Sequence, residues 1–321
     1  MKSIKELQQI IEKELAGISY PKNPSDLYTP IDYVLGLSGK RMRPILLLLA
    51  HQLFNQNLSA AIKPALGIEV FHNFTLLHDD IMDDAPLRRG QQTVHEKWSP
   101  NVAILSGDTM LVHAYQLMSE VPSEVLKKSL DVFSKTAVEV CEGQQWDMDF
   151  EERDDVTIPE YLKMIEYKTA VLLAGALKIG ALTGGANEEQ AQHLYEFGRN
   201  MGIAFQLKDD LLDVFGDQDK FGKQEGGDIL SNKKTYLYLQ SLAVAEGKQK
   251  EELQHWFSSK EYDGTQKVKA VKALYERLEI KKITTDLMHE YHQKAMTHLE
   301  AIEGDKIGLE QFAAMLLQRE S

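Results

Sequence analysis

The chain has 321 residues, with 36 basic against 49 acidic side chains and a net charge of -13, a balance that argues against nucleic acid or an anionic membrane surface as partner. Its single cysteine, Cys141, excludes a disulfide within the chain, argues against a thiolate metal site and points to the cytoplasm. No apolar run approaches the roughly 20 residues that span a bilayer, the opening MKSIKELQQI is charged and amphipathic rather than a signal peptide, and residues 1–321 read as one domain with no linker to split them.

Helical periodicity dominates from end to end. All nine prolines lie at or before Pro159, so the second half is free of the strongest helix breaker and reads as helix after helix. In the first half Pro44, Pro64 and Pro159 stand where helices begin, and the Ala-Pro and Ser-Pro pairs at Pro86 and Pro100 mark turns. Alternating strand patterns are scarce, and Gly184-Gly185 and the stretch from Gly216 to Gly227 are the main loop candidates. These features predict an all-α, single-domain helical bundle with a central cleft, the kind of core that hosts sites built from facing helices.

The first chemical signal in chain order is Gly39-Lys40-Arg41-Met42-Arg43-Pro44, a basic cluster just ahead of the apolar run Ile45 to Ala50. Next come Asp79, Asp80 and Asp83, spaced DDxxD, which fall together on a helix that turns about 100° per residue. His72 precedes Asp79 by two turns on nearly the same face, and Arg88-Arg89-Gly90 follows the cluster. Asp209, Asp210 and Asp213 repeat the spacing in a second apolar run 130 residues later. Crowded carboxylates repel by about 1 kcal/mol per pair in water and more near a protein surface, so a cation is needed to offset them. Mg2+, a hard ion held by one or two carboxylates plus phosphate oxygens, suits that set. One such cluster also reads as a solvated acidic face, and one arginine as an ordinary surface charge. Two clusters flanked by basic groups read better as a site for a small phosphorylated ligand, because arginine forks and lysine point charges both suit phosphate oxygens.

In order along the chain, GKRMRP, DDIMD with LRRG, GQQWD at residues 143–147, Lys168-Thr169, Phe205-Gln206 leading into DDLLD, and a segment with Lys223, Asp228 and Lys233 resemble the trans-isoprenyl diphosphate synthases of the polyprenyl synthetase family, short-chain type. The likeness covers nearly the whole chain. It implies a homodimeric prenyltransferase that condenses isopentenyl diphosphate with dimethylallyl, geranyl or farnesyl diphosphate, using Mg2+, three ions per active site. It further implies that Asp79, Asp80, Asp83, Asp209, Asp210 and Asp213 hold the metal. Arg88, Lys168 and Lys233 would grip the allylic diphosphate, with Lys223 in the same segment as Lys233, and Lys40, Arg43, His72 and Arg89 the diphosphate of isopentenyl diphosphate. Thr169 and Gln206 would face the carbocation, although a satisfied core polar group is an equal reading for Gln206. Asp228 and the glycines beside it would belong to a closing loop, with a solvated turn as the other reading.

Product length turns on the residues before the first motif. Thr75, Phe74 and Phe71 lie four, five and eight residues ahead of Asp79, about 6, 7.5 and 12 Å along a helix. In the family, bulky residues at these depths floor the product channel. The pair Phe71 and Phe74, with Thr75 replacing one aromatic of the eukaryotic farnesyl pattern, implies a twenty-carbon product, geranylgeranyl diphosphate, ahead of the fifteen-carbon farnesyl diphosphate. A class I terpene cyclase would carry a mixed second metal motif, a non-catalytic subunit would lack aspartates, and a di-iron bundle would need partners for His289 and His292 that are not evident. The stretch after Lys248 reads as solvated helix faces.

Overall fold

A computed structural model describes residues 1–216, 226–259 and 262–318, so Lys223 and most of the predicted loop after Gly216 lie outside the described residues. As the periodicity predicts, the architecture is all-α. The helices are α1 (Ile4–Ala16), α2 (Ser25–Gly36), α3 (Met42–Gln52), α4 (Ser59–Met82), α5 (Val94–Lys97), α6 (Pro100–Met118), α7 (Ser123–Glu152), α8 (Ile158–Ile165), α9 (Val171–Gly184), α10 (Glu188–Phe215), α11 (Gly227–Leu230), α12 (Tyr236–Val244), α13 (Gly247–Ser258), α14 (Gly264–Arg277), α15 (Ile280–Glu300) and α16 (Ile307–Gln318). The proline-marked starts are real for α3, with Pro44 in its first turn, and for α8, where Thr157 and Glu160 form a capping box around Pro159. Pro100 opens α6 behind the N-cap Ser99, whereas the sequence suggests only a turn there. Pro64 lies inside α4, a turn beyond its start at Ser59.

Between α4 and α5 the chain makes a short antiparallel hairpin, β1 (Leu87–Arg88) and β2 (Gln91–Gln92), which the scarcity of alternation does not foretell. Arg89 and Gly90 occupy its two turn positions, both at positive φ (53° and 75°). That is the backbone twist a two-residue hairpin prefers, and glycine adopts it without steric cost.

The helices gather into two compact units. The first comprises Met1–Lys135, Gly175–Tyr195 and Glu303–Leu309, and its central element is α4, buried along most of its length and packed against α3 and α6. Such a helix is apolar nearly all round, which is why its few polar residues attract notice. The second comprises Thr136–Ala174, Glu196–Ile302 and the chain from Glu310 onward. Its core includes two clusters. Phe150, Tyr161, Met164, Leu207 and Met288 belong to one, and Val214, Ile229, Leu253, Val271 and Tyr275 to the other. The helices after Lys248, read from sequence as solvated faces, therefore supply much of the second cluster through their inward sides.

Between α8 and α9 the backbone runs as a π-helical turn, Glu166–Ala170, which carries Lys168 and Thr169. One added residue in a turn rotates the side chains that follow, and such bulges are frequent at functional sites. Two glycines let neighbouring backbones close on this turn. A methyl group at Gly143 on α7 would collide with the backbone of Lys168, and one at Gly202 on α10 would lie 2.5 Å from Ala170. Replacing Gly143 by Ala is expected to cost about 2 kcal/mol of stability through overpacking that backbone atoms cannot relieve. Urea unfolding at constant m-value measures it, and an unchanged midpoint would refute the close-packed account of the turn.

Candidate active site

Both aspartate motifs lie at the C-terminal ends of long helices. Asp79 and Asp80 are in the last turn of α4 with Asp83 as its C-cap residue, and Asp209, Asp210 and Asp213 are in the last turns of α10. A helix carries partial negative charge at that end, so the dipole adds to the mutual repulsion of the carboxylates and strengthens the case for a bound cation. In each motif the second aspartate is the buried one: Asp80 is 5% exposed and Asp210 4%.

Their environments differ. Asp80 is gripped by Arg88, whose Nε donates to both carboxylate oxygens (2.8 and 2.9 Å) and whose Nη2 lies 2.7 Å from Oδ1. The hairpin makes this possible by returning Arg88 over the end of α4. Arg88 is thereby anchored to the first motif, and Asp79 and Asp83 are the members on the more exposed side. Asp210 instead accepts from the hydroxyl of Tyr161 (2.5 Å) and the amide of Gln206 (3.3 Å). Burial, aided by the carboxylates of Asp228 and Asp209, pushes its pKa up to about 8, so at neutral pH the metal-free protein holds Asp210 mainly as the neutral acid.

Around Asp210 lies a cavity of about 110 Å³ lined by Asp147, Lys168, Thr169, Gln206, Asp228 and Lys233, among others. Four residues that the sequence resemblance names for catalysis therefore share one chamber. Lys168 donates to Asp147 (2.5 Å), and the Thr169 hydroxyl donates to the Gln206 side-chain oxygen (3.2 Å). Thr169, Gln206, Asp210 and Tyr161 form a continuous polar chain, which satisfies the Gln206 amide on both sides and fixes its orientation. The turn bearing Asp228 is tied to the second motif, since the Asp213 carboxylate accepts from the Asp228 amide (3.1 Å) and the Asp213 carbonyl from that of Gly226 (2.9 Å). Lys233 is held by its own amide, which donates to the Asp228 carbonyl (2.9 Å).

In the first unit, Arg43 Nη1 meets His72 Nε2 at 2.9 Å. Burial and the surrounding arginines, Arg43 first, hold the His72 pKa well below the usual histidine value, so the ring is neutral, accepts from Arg43 at Nε2 and keeps a proton at Nδ1. Burial also brings Arg43 down to about 10, and its Nε is a buried donor with no hydrogen-bond partner among the described residues. Lys40 and Arg89 are exposed beside this pair in sequence and hairpin respectively. On the same helix, Phe71 is fully buried against Phe133 (ring centroids 5.2 Å apart) and Phe74 (5.6 Å), while Phe74 abuts His78 (4.8 Å). Thr75 spends its hydroxyl on the His72 carbonyl (2.8 Å).

Asp147, Tyr161 and Glu69 are site neighbours that motif reading leaves without a role. Asp147 and Tyr161 meet Lys168 and Asp210 from 21 and 49 residues away, a proximity no local pattern encodes. Glu69 alone carries a local sign, as an acidic residue in the buried stretch of α4 three positions before His72. Neither motif by itself brings three ligand atoms within 4.8 Å among the described residues, whereas the adjacent Asp84, His95 and Glu96 do. Carboxylates supply the hard oxygen donors that Mg2+ takes, commonly one or two per ion with water and phosphate oxygens.

Residues 24–278 match the model of the polyprenyl synthetase family. Geranylgeranyl diphosphate synthase of Methanosarcina mazei is 47% identical over 218 residues, 67% of each chain. Geranylfarnesyl diphosphate synthase of Natronomonas pharaonis is 40% identical over 255 residues, 74% of this chain and 75% of that one. A crystal structure of a geranylgeranyl pyrophosphate synthase superposes over 100% of both chains with a TM-score of 0.94 at 44% identity.

The protonated state of Asp210 has a measurable consequence. Its folded pKa near 8 lies above the ordinary 3.8, so the folded state binds the extra proton, and the contribution of Asp210 to stability falls as pH rises from about 4 to about 8 and then levels off. Asp210→Asn, assayed by thermal unfolding in chelator, should therefore melt above the parent at pH 9, with the gap shrinking towards pH 4. A gap independent of pH would contradict the assignment.

Proposed function

The chain belongs to the polyprenyl synthetase family and is a trans-prenyltransferase that condenses isopentenyl diphosphate with an allylic diphosphate; within that activity we propose that it is a magnesium-dependent geranylgeranyl diphosphate synthase. The reading of product length rests on Phe74, buried against Phe71 one to two turns before Asp79 on the same helix, as the residue that would floor the product channel. A channel floored at that depth stops elongation at a short chain, and of the relatives one is named for the twenty-carbon product and another for the next longer one.

In this reading Asp79 and Asp83, with Asp80 in support, and Asp209, Asp210 and Asp213 are the carboxylates for Mg2+, and Lys168 and Lys233 with Arg88 hold the allylic diphosphate. When bound, the magnesium ions supply positive charge to the departing diphosphate and sharpen ionisation of the allylic C–O bond. Lysine and arginine donors do the same from fixed positions, which is where preorganised electrostatics contributes most. Lys168 is presented by the π-turn and steadied by Asp147. Thr169 and Gln206 line the cavity, and their oxygen atoms would stabilise the cation without attacking it. Lys40, Arg43, Arg89 and the Nδ1 proton of His72 receive the second diphosphate, and a neutral His72 donates without adding a fourth full charge. The double bond of isopentenyl diphosphate then attacks, and the proton lost afterwards goes to the released diphosphate, so no protein nucleophile is needed.

No described helix is long and apolar enough to cross a membrane. We assign the enzyme to the cytoplasm as one working domain and a homodimer. Leu105 and Val112, each 59% exposed and seven residues apart on one face of α6, offer an apolar stripe for a second copy.

With Mg2+, isopentenyl diphosphate and farnesyl diphosphate, the dominant dephosphorylated product should be the linear twenty-carbon alcohol, and a fifteen-carbon end product from geranyl diphosphate would overturn the length assignment. Phe74→Ala should extend the product by at least one five-carbon unit, and an unchanged product distribution would place the floor elsewhere. Asp83→Ala and Asp209→Ala should each lower kcat by about a hundredfold or more with the melting temperature retained, because each removes charge stabilisation specific to the transition state.

A further inference from the structure

Arg41 is the middle basic residue of the Lys40–Arg43 cluster, and it faces away from any ligand role. It is 8% exposed, and its backbone has the left-handed conformation (φ 48°, ψ 38°) at the N-cap of α3. A branched or long side chain adopts that conformation only where its surroundings impose it. Three acceptors do so here. Nη1 donates to Glu69 Oε1 (2.7 Å), and Nη2 donates to the carbonyls of Leu35 (2.8 Å) and Leu37 (2.7 Å) at the end of α2. Glu69, 2% exposed, is fixed in turn, because the Asn73 amide donates both to the same Oε1 (3.0 Å) and to the Glu69 carbonyl (2.8 Å). On α4, Glu69 and His72 stand three apart on one face, and on the α3 side Arg41 and Arg43 stand two apart, so the pairs Arg41–Glu69 and Arg43–His72 lie side by side.

We propose that Glu69, acting through Arg41, is a positioning residue for the isopentenyl diphosphate subsite. It holds the left-handed turn that presents Lys40 on one side and Arg43 on the other to the diphosphate. A buried ion pair contributes little net stability compared with apolar residues of the same size, so its use here is geometric. The inference rests on the reading that Lys40, Arg43, Arg89 and His72 take isopentenyl diphosphate.

A positioning role and a simple field effect predict opposite signs. If Glu69 acted only through its charge, neutralising it beside three arginines would favour a bound anion, and the KM for isopentenyl diphosphate would fall in Glu69→Gln. Positioning predicts that this KM rises several-fold while the KM for farnesyl diphosphate stays within a factor of two or so. The Gln variant leaves Arg41 charged and less well paired, which threatens folding, so the paired replacement Glu69→Leu with Arg41→Met is the second arm. Removing both partners of a buried pair is commonly tolerated, and this variant should remain folded by thermal unfolding yet raise the isopentenyl diphosphate KM by about tenfold, the scale of a misaligned charge-assisted contact. A folded double variant with an unchanged or lowered KM for isopentenyl diphosphate, or one in which both substrates suffer equally, overturns the inference. Arg43→Ala tests the underlying reading separately. If it raises the KM for isopentenyl diphosphate and the Glu69 variants do not, only the positioning role fails, and if it has no effect, both fail.

Discussion

Carboxylates crowded at the negative ends of two long helices are the constraint on which the rest of this molecule depends. Three aspartates at the end of α4 and three at the end of α10 carry a cost in repulsion and in dipole energy that no neighbouring apolar packing can offset. Such an arrangement is maintained only if something positive joins it during function. In the proposed function that counter-charge is metal ions on a diphosphate, and the resting protein manages the strain in two different ways. At Asp80 an arginine is brought over on a hairpin to neutralise the charge. At Asp210 burial drives a proton onto the carboxyl, and neutral donors complete its coordination.

That difference matters because the two motifs are identical in spacing. Repetition in sequence creates the same face on two helices, but the function of each face is set by what packs beside it. The guanidinium on Asp80 is a permanent cation. The proton on Asp210 is exchangeable, so in the proposed function a metal ion bound there would displace it. Lys168 is held by Asp147 in a similar manner, an ammonium kept in place by a carboxylate.

The basic cluster ahead of α3 shows the converse problem of concentrating positive charge. Burial keeps His72 neutral while Arg43, lowered only to about 10, stays charged, so the cradle adds the histidine's donor without adding its charge. Glu69 contributes a buried anion to this group, and Asn73 locks it. Positive and negative clusters are thus each braced by a minority of the opposite sign, which fixes their geometry in advance of any ligand.

The sequence by itself determined the helical class, through periodicity and the distribution of proline, the activity, through motifs that resemble the family's, and the placement of its singled-out residues on one helical face: the two aspartate triplets, His72 before the first, and Phe71 with Phe74 before it. These are local relations, set by 3.6 residues per turn, and they are legible without a partner. It did not reveal the hairpin that carries Arg88 to Asp80, since two-residue strands leave no alternation to read, nor the π-turn at Lys168, because one added residue in a helix has no compositional mark. It left Tyr161, Asp147 and Glu69 without roles, and only tertiary structure decided them. Whether a buried carboxyl is charged or neutral, and which of two identical motifs holds a proton, depends on desolvation and on neighbours tens of residues away, and those quantities exist only once the chain has packed.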